Sequence, residues 1–127
     1  MKKVAIYVRE SNHSNAENAA LMQNEKIKKF CEQKGYEVCD SVTAIGSRET
    51  GNPMLMKMIK SAKEKGIETV VMASTNRVVG TVEELKEIKE VFDDSGVAIE
   101  TLDGSHITPP TLIESFLAAM SEAEDEE

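Results

Sequence analysis

Arg9 and Ser11 stand two residues apart at the end of the apolar run Val4-Ala5-Ile6-Tyr7-Val8. Side chains alternate faces along a strand, so an extended backbone would turn both toward one site. A hydroxyl beside a fixed guanidinium suits chemistry on a phosphate. The guanidinium grips two phosphate oxygens in a fork while the hydroxyl attacks. A free serine is a weak nucleophile, so neighbouring groups must supply its activation.

Those residues need a scaffold, and the chain supplies alternating strand and helix signals. Residues 4–8 read as a buried strand. Residues 15–34 read as a helix, with Ala20, Ile27, Phe30 and Cys31 at three- and four-residue spacings and Gly35 as its stop. Residues 36–42 read as a half-exposed strand with Tyr36, Val38 and Val42 on one face. The stretch 43–52 reads as a loop, after which Pro53 opens a helix at a position where its missing N–H costs nothing. That helix carries Leu55, Met58, Ile59 and Ala62 and ends at Gly66. Residues 69–73 have the composition of a central strand. Thr81 and Glu84 form a capping box, and Leu85, Ile88, Val91 and Phe92 line one face up to Gly96. A fourth strand follows over 97–102, then a last helix over about 111–125. Its apolar stripe, Leu112, Ile113, Phe116, Leu117 and Met120, either completes the core or meets a second copy.

This order predicts one three-layer α/β domain over 1–127, a mainly parallel sheet of four or five strands flanked by helices. Sites in such sheets lie at the carboxyl ends of the strands. Ser11, the 43–52 stretch with Arg48, and Ser74-Thr75-Asn76-Arg77 would meet there.

Composition narrows the function. The chain has 127 residues, 40% apolar and 30% charged, which fits a single soluble domain and a cytoplasmic location. No apolar run approaches the roughly 18–20 residues that cross a bilayer. A net charge of −8 argues against a self-sufficient nucleic-acid binder. The acidic excess gathers at Glu83, Glu84, Glu87 and Glu90 and in the tail 122–127, as a solvated outer face would. There is no glycine-rich dinucleotide or nucleotide-phosphate loop after the first strand. His13 and His106 are isolated, so no metal site is expected from them. Cys31 and Cys39 read as ordinary small apolar residues.

Tyr7-Val8-Arg9-Glu10-Ser11, Leu21-Met22-Gln23 and Asn76-Arg77, taken with the strand and helix order, resemble the catalytic domain of the serine recombinases. That family holds the resolvases, invertases and large serine integrases. The resemblance extends over nearly the whole chain, including Gly35-Tyr36-Glu37-Val38 and Thr108-Pro109. It implies a resolvase-like fold and a serine that attacks a DNA phosphodiester, giving a 5′-phosphoserine link and a free 3′ hydroxyl. Strands exchange within a tetramer and are resealed with no metal, nucleotide or other cofactor. On this chain the resemblance makes Ser11 the nucleophile, Arg9 and Arg77 phosphate clamps, and Gln23 a positioning residue. It also implies DNA as partner, held weakly without a further DNA-binding domain, and a homodimer or tetramer joined through the C-terminal helix. No small-molecule substrate and no membrane are implied.

The departures bear on activity. The family usually has arginine where Asn52 stands, aspartate where Asn76 stands and arginine where Gly80 stands. Arg48 could supply one missing cation from a different backbone position. Two readings stay open: an active recombinase domain, or a catalytically impaired relative that serves as an interaction or regulatory module or survives as a mobile-element remnant. A flavodoxin-like or receiver-type domain fits less well, because a receiver needs acidic residues where Arg9 stands.

Overall fold

The computed structural model describes residues 1–105. The expected helix over 111–125, the dimer or tetramer contact assigned to it, and His106 lie outside the described residues. The elements are β1 (Lys3–Glu10), α1 (Ala16–Lys34), β2 (Glu37–Ile45), α2 (Arg48–Ala62), β3 (Thr69–Met72), a single 3-10 turn (Thr75–Arg77), α3 (Val82–Ser95) and β4 (Ala98–Thr101). All four strands run parallel, in the order β2-β1-β3-β4. The fold is thus the expected α/β sandwich.

Alternation along β1 divides the core. Ala5 and Tyr7 face α2 and α3, where they join Val70, Met72, Leu55, Ile59, Ile88 and Phe92. Val4, Ile6 and Val8 face α1 and meet Ala20, Ile27 and Cys31. Burial on both faces explains why β1 is an unbroken apolar run. The crossover from β1 runs to β2 on one side and the crossover from β3 runs to β4 on the other, so a crevice opens at the carboxyl ends of β1 and β3. Gly35 takes a left-handed conformation (φ 72°) and its N–H reaches the carbonyls of Cys31 and Glu32, closing α1. Thr81 Oγ1 accepts the N–H of Glu84 at 3.1 Å and opens α3. No helix among the described residues is long and apolar enough to cross a membrane.

Three local expectations are corrected. The 43–52 stretch is no loop: Thr43, Ala44 and Ile45 extend β2 by pairing with Val8, Arg9 and Glu10. Only Gly46 and Ser47 turn the chain, and Ser47 Oγ caps α2 by accepting the N–H of Thr50. Pro53 therefore lies inside α2 rather than at its start. The third correction concerns the alternation of β2. Val4 pairs with Val38 and Ala5 with Asp40, leaving Cys39 as an extra bulged residue. Tyr36 consequently packs toward α1 and Val42 toward α2, on opposite faces. Cys31 is the buried apolar residue expected, whereas Cys39 is exposed.

Gly51, in the second turn of α2, brings backbone against β1. A Cβ there would overlap the Tyr7 hydroxyl and press on Arg9 Cδ at 3.2 Å and Ala44 Cβ at 3.3 Å. Tyr7 is wholly buried and burial pushes its phenol up to about 12, against a smaller opposing pull from Arg9. These neighbours cannot swing aside. Gly51→Ala is expected to cost about 1–3 kcal/mol from overpacking, read as a lower chemical-denaturation midpoint at unchanged slope.

Candidate functional site

Arg9 is 8% exposed, although it is the last inward-facing residue of β1. A buried guanidinium must spend its donors on acceptors. Arg9 Nε donates to the carbonyl of Arg77 at 2.8 Å and Nη1 donates to the carbonyl of Gly46 at 2.8 Å. One side chain therefore ties the end of β1 to the β2–α2 turn and to the turn after β3. The three segments expected to converge do so. Two donors expected to face a phosphate instead hold backbone, which leaves the Nη N–H groups not engaged in those two bonds.

Arg77 complements this arrangement. Its carbonyl is gripped by Arg9, while its own Nε is buried with no hydrogen-bond partner among the described residues. The turn that carries it is fixed from the other side as well. Ser105 Oγ accepts the N–H of Thr75 at 3.0 Å and donates to Asp103 Oδ1 at 2.6 Å. Thr101 Oγ1 donates to the Ser105 carbonyl at 2.7 Å. Hydroxyl donation from Ser105, then from Ser74, holds the Asp103 carboxyl well below the usual carboxylate range. Asn76, at the position of the usual aspartate, is exposed.

Ser11 follows β1 directly and is exposed. Gln23 belongs to the inward stripe of α1, with Ala20, Ile27 and Cys31, which explains its burial. Its Nε2 donates to the carbonyl of Arg9 at 3.2 Å and reaches Glu10 Oε2 at 3.4 Å. It thereby fixes the backbone that presents Ser11.

Arg48 is the first residue of α2. Its Nε lies 3.0 Å from both carboxylate oxygens of Glu84 on α3. The guanidinium lies over Gly80, in the space where any side chain at that position would begin. A glycine where the serine recombinases usually carry arginine thus admits an arginine arriving from α2. Asn52 is 7% exposed and its Nδ2 donates to the Val78 carbonyl at 3.0 Å, so it binds backbone rather than facing solvent. Glu84 is also the one member of the α3 acidic group that is not simply solvated; Glu83, Glu87 and Glu90 are exposed.

Sequence reasoning named Arg9, Ser11, Gln23, Arg48 and Arg77 as site residues; Tyr7 entered only within the motif that carries the resemblance, and Gly51, Glu84 and Ser105 were given no part in the site. The capping box signalled Glu84 only as a helix start. Nothing local marked Ser105, whose bond to the Thr75 N–H spans 30 residues, or the packing of Gly51 against Tyr7.

A family model described as "Resolvase, N terminal domain" matches residues 4–127. The crystal structure of a resolvase family site-specific recombinase from Streptococcus pneumoniae has 26% identity and a TM-score of 0.75, covering 99% of this chain and 89% of that one. The N-terminal catalytic domain of TP901-1 integrase has 26% identity and a TM-score of 0.66, with 98% of each chain covered. The C-terminal catalytic domain of ISC1926 TnpA, an IS607-like serine recombinase, shares the fold at 21% identity and a TM-score of 0.64, covering 94% of this chain and 81% of that one. No curated protein matches the chain.

Proposed function

The chain belongs to the resolvase N-terminal domain family, and from that premise we propose that it is a site-specific recombinase catalytic domain that cuts and rejoins DNA through Ser11. The observation that carries this reading is the convergence of three segments at the carboxyl edge of the sheet: Arg9 Nε and Nη1 tie the end of β1, which leads into Ser11, to the turn that carries Arg77 and to the Gly46 turn. A guanidinium carried on that edge can bind phosphate oxygens, and a DNA phosphodiester offers them.

In the proposed step Ser11 Oγ forms a bond to phosphorus and the bond from phosphorus to the 3′ oxygen breaks. The serine proton passes to solvent and the departing 3′ oxygen takes one up. The phosphoserine bond keeps the energy of the broken link, so the incoming 3′ hydroxyl reseals by the reverse step. Charge builds on the non-bridging oxygens, where preorganised cations act most strongly. Arg77 is the cation left for that task. Arg9 acts chiefly by holding the Arg77 backbone, with its remaining N–H groups for a phosphate oxygen. Gln23 positions the end of β1.

Arg48 completes the set in this reading, standing over Gly80 with Glu84 fixing its orientation. Arg48→Ala is expected to lower cleavage by about 10²–10³-fold. It should change stability little, because the ion pair it removes is part-exposed and such pairs contribute under about 1 kcal/mol. Initial rates of adduct formation and a melting curve check both halves.

One observation favours the impaired reading. Arg48, the replacement cation, is already neutralised by Glu84, and Glu49, Glu83 and Glu87 line the same cleft between α2 and α3. Covalent trapping decides. The full chain, joined to a DNA-binding module of known site, is mixed with supercoiled plasmid bearing paired copies of that site. A protein–DNA adduct that survives denaturation, with phosphate on residue 11 by mass spectrometry, is expected. No adduct from a folded protein on DNA it demonstrably binds would replace this function with the non-catalytic one.

A further inference from the structure

Five residues separate β1 from α1, and Ser11 is the first of them. One side chain holds both ends of that stretch. His13 Nδ1 accepts the N–H of Asn15 at 3.2 Å, and the His13 carbonyl accepts the N–H of Ala16 at 3.1 Å. Across the loop, His13 Nε2 lies 3.3 Å from Glu10 Oε1. Glu10 Oε2 in turn meets Gln23 Nε2 at 3.4 Å. These contacts assign the tautomer. A backbone N–H can only be met by a bare ring nitrogen, so the imidazole proton sits on Nε2 and is donated to Glu10. Asn15 is the N-cap of α1, yet its own side chain makes no capping bond. The imidazole instead accepts the N–H of the N-cap residue, the donor that an N3 side chain takes in a capping box.

We propose that neutral His13 is a positioning residue for Ser11: by bridging Glu10 and the Asn15 N–H it fixes the loop that presents the hydroxyl. The inference rests on the reading of Ser11 as nucleophile and deepens it. Reacting groups held about 1 Å out of place lose on the order of 10²-fold in rate. An exposed hydroxyl on a five-residue loop needs such a restraint, and each of its neighbours in the bridge is anchored to β1 or α1.

The bridge depends on the charge of the ring. A second proton turns Nδ1 into a donor facing a donor, so the Asn15 N–H loses its acceptor. The resulting cation also stands at the positive end of the α1 dipole. The charged groups near the ring are Glu10 from β1 and Glu17 from the first turn of α1, while β2 contributes the uncharged Ile45 to the same cleft. Both carboxylates attract an imidazolium, and neither can replace the acceptor lost to Asn15. Protonation therefore frees the loop.

His13→Asn separates the ring's acceptor from its titration. An asparagine Oδ1 accepts the N–H two residues on, as in an Asx turn, but gains no proton. The test measures two quantities across pH in the full chain: the rate of adduct formation, in the trapping format above, and hydrogen exchange of the Asn15 amide. In the wild type, rate and amide protection are expected to fall together as pH is lowered. His13→Asn keeps the Asn15 acceptor without the Glu10 arm, so it should flatten both, with a neutral-pH rate between those of the wild type and His13→Ala. His13→Ala should lower the rate at every pH, by about 10²-fold. A wild-type acid limb that persists unchanged in His13→Asn overturns the proposal. So does Asn15 protection that ignores pH in the wild type, a result readable even if no adduct ever forms. Absence of adduct at every pH instead removes the reading of Ser11 as nucleophile.

Discussion

Ser11→Ala is expected to abolish the covalent adduct completely and to leave the fold untouched. The two halves have separate causes. Ser11 is exposed and its hydroxyl makes no hydrogen bond within the described residues, so its loss should move stability by no more than about 0.5 kcal/mol. The chemistry has no substitute. Cleavage through a phosphoserine needs that oxygen to form the new bond, and a methyl group offers no lone pair. The nearest other hydroxyl in sequence, Ser14, lies three residues further along the loop, past His13. A denaturing gel reads the adduct and a melting curve reads the fold. Adduct that persists in Ser11→Ala would move the nucleophile to another residue.

Arg9→Ala should strike stability and activity together. Truncation leaves two carbonyls, those of Arg77 and Gly46, without the donors that now reach them at 2.8 Å. Hydrogen bonds to charged groups contribute about 1.5–3 kcal/mol each. Allowing for some relaxation and entry of water, a loss of about 3 kcal/mol is expected, measured by chemical denaturation. Adduct formation should fall by at least about 10²-fold even in the fraction that stays folded, because the Arg77 turn loses its restraint. Arg9→Lys should not rescue it. An ammonium is one point charge and cannot reach two carbonyls in the planar fork that the guanidinium uses. Near-wild-type activity in Arg9→Lys would show that charge alone matters at this position.

Much of the scaffold could be read from the chain because local signals agreed with the final packing. The apolar run of β1 matched burial on both faces, Gly35 and Gly96 stopped α1 and α3, and the Thr81 capping box opened α3. The 43–52 stretch misled for physical reasons. Thr43 to Ile45 owe their strand conformation to β1, about 35 residues earlier, and a two-residue turn needs no loop composition. Pro53 signals a helix start, yet Ser47 had already capped the helix six residues before it. A proline this early in a helix leaves only the Glu49 carbonyl without its usual donor, and Glu49 is exposed to water.

The candidate site was legible in its residue types but not in its division of labour. A strand-end arginine beside a serine suits phosphate chemistry but is a weak signal by itself. Which donors face the ligand and which face the backbone depends on carbonyls 37 and 68 residues away. Gly80 shows the same limit from the other direction. Against the family pattern it counts as a lost cation, whereas in the fold it is the space that Arg48 occupies. Spacing along the chain identifies members of a constellation; only contact assigns their tasks.

The bulge at Cys39 has a consequence beyond the direction of its neighbours. Among the described residues β2 is an outer strand of the sheet, and an outer strand offers open N–H and C=O groups to any extended segment that drifts past. A regular edge would accept that segment residue for residue. Here one residue too many, together with the added local twist, throws an incoming backbone out of step within a few positions. The irregularity that cost β2 its simple alternation thus makes this edge a poorer template for stray chains.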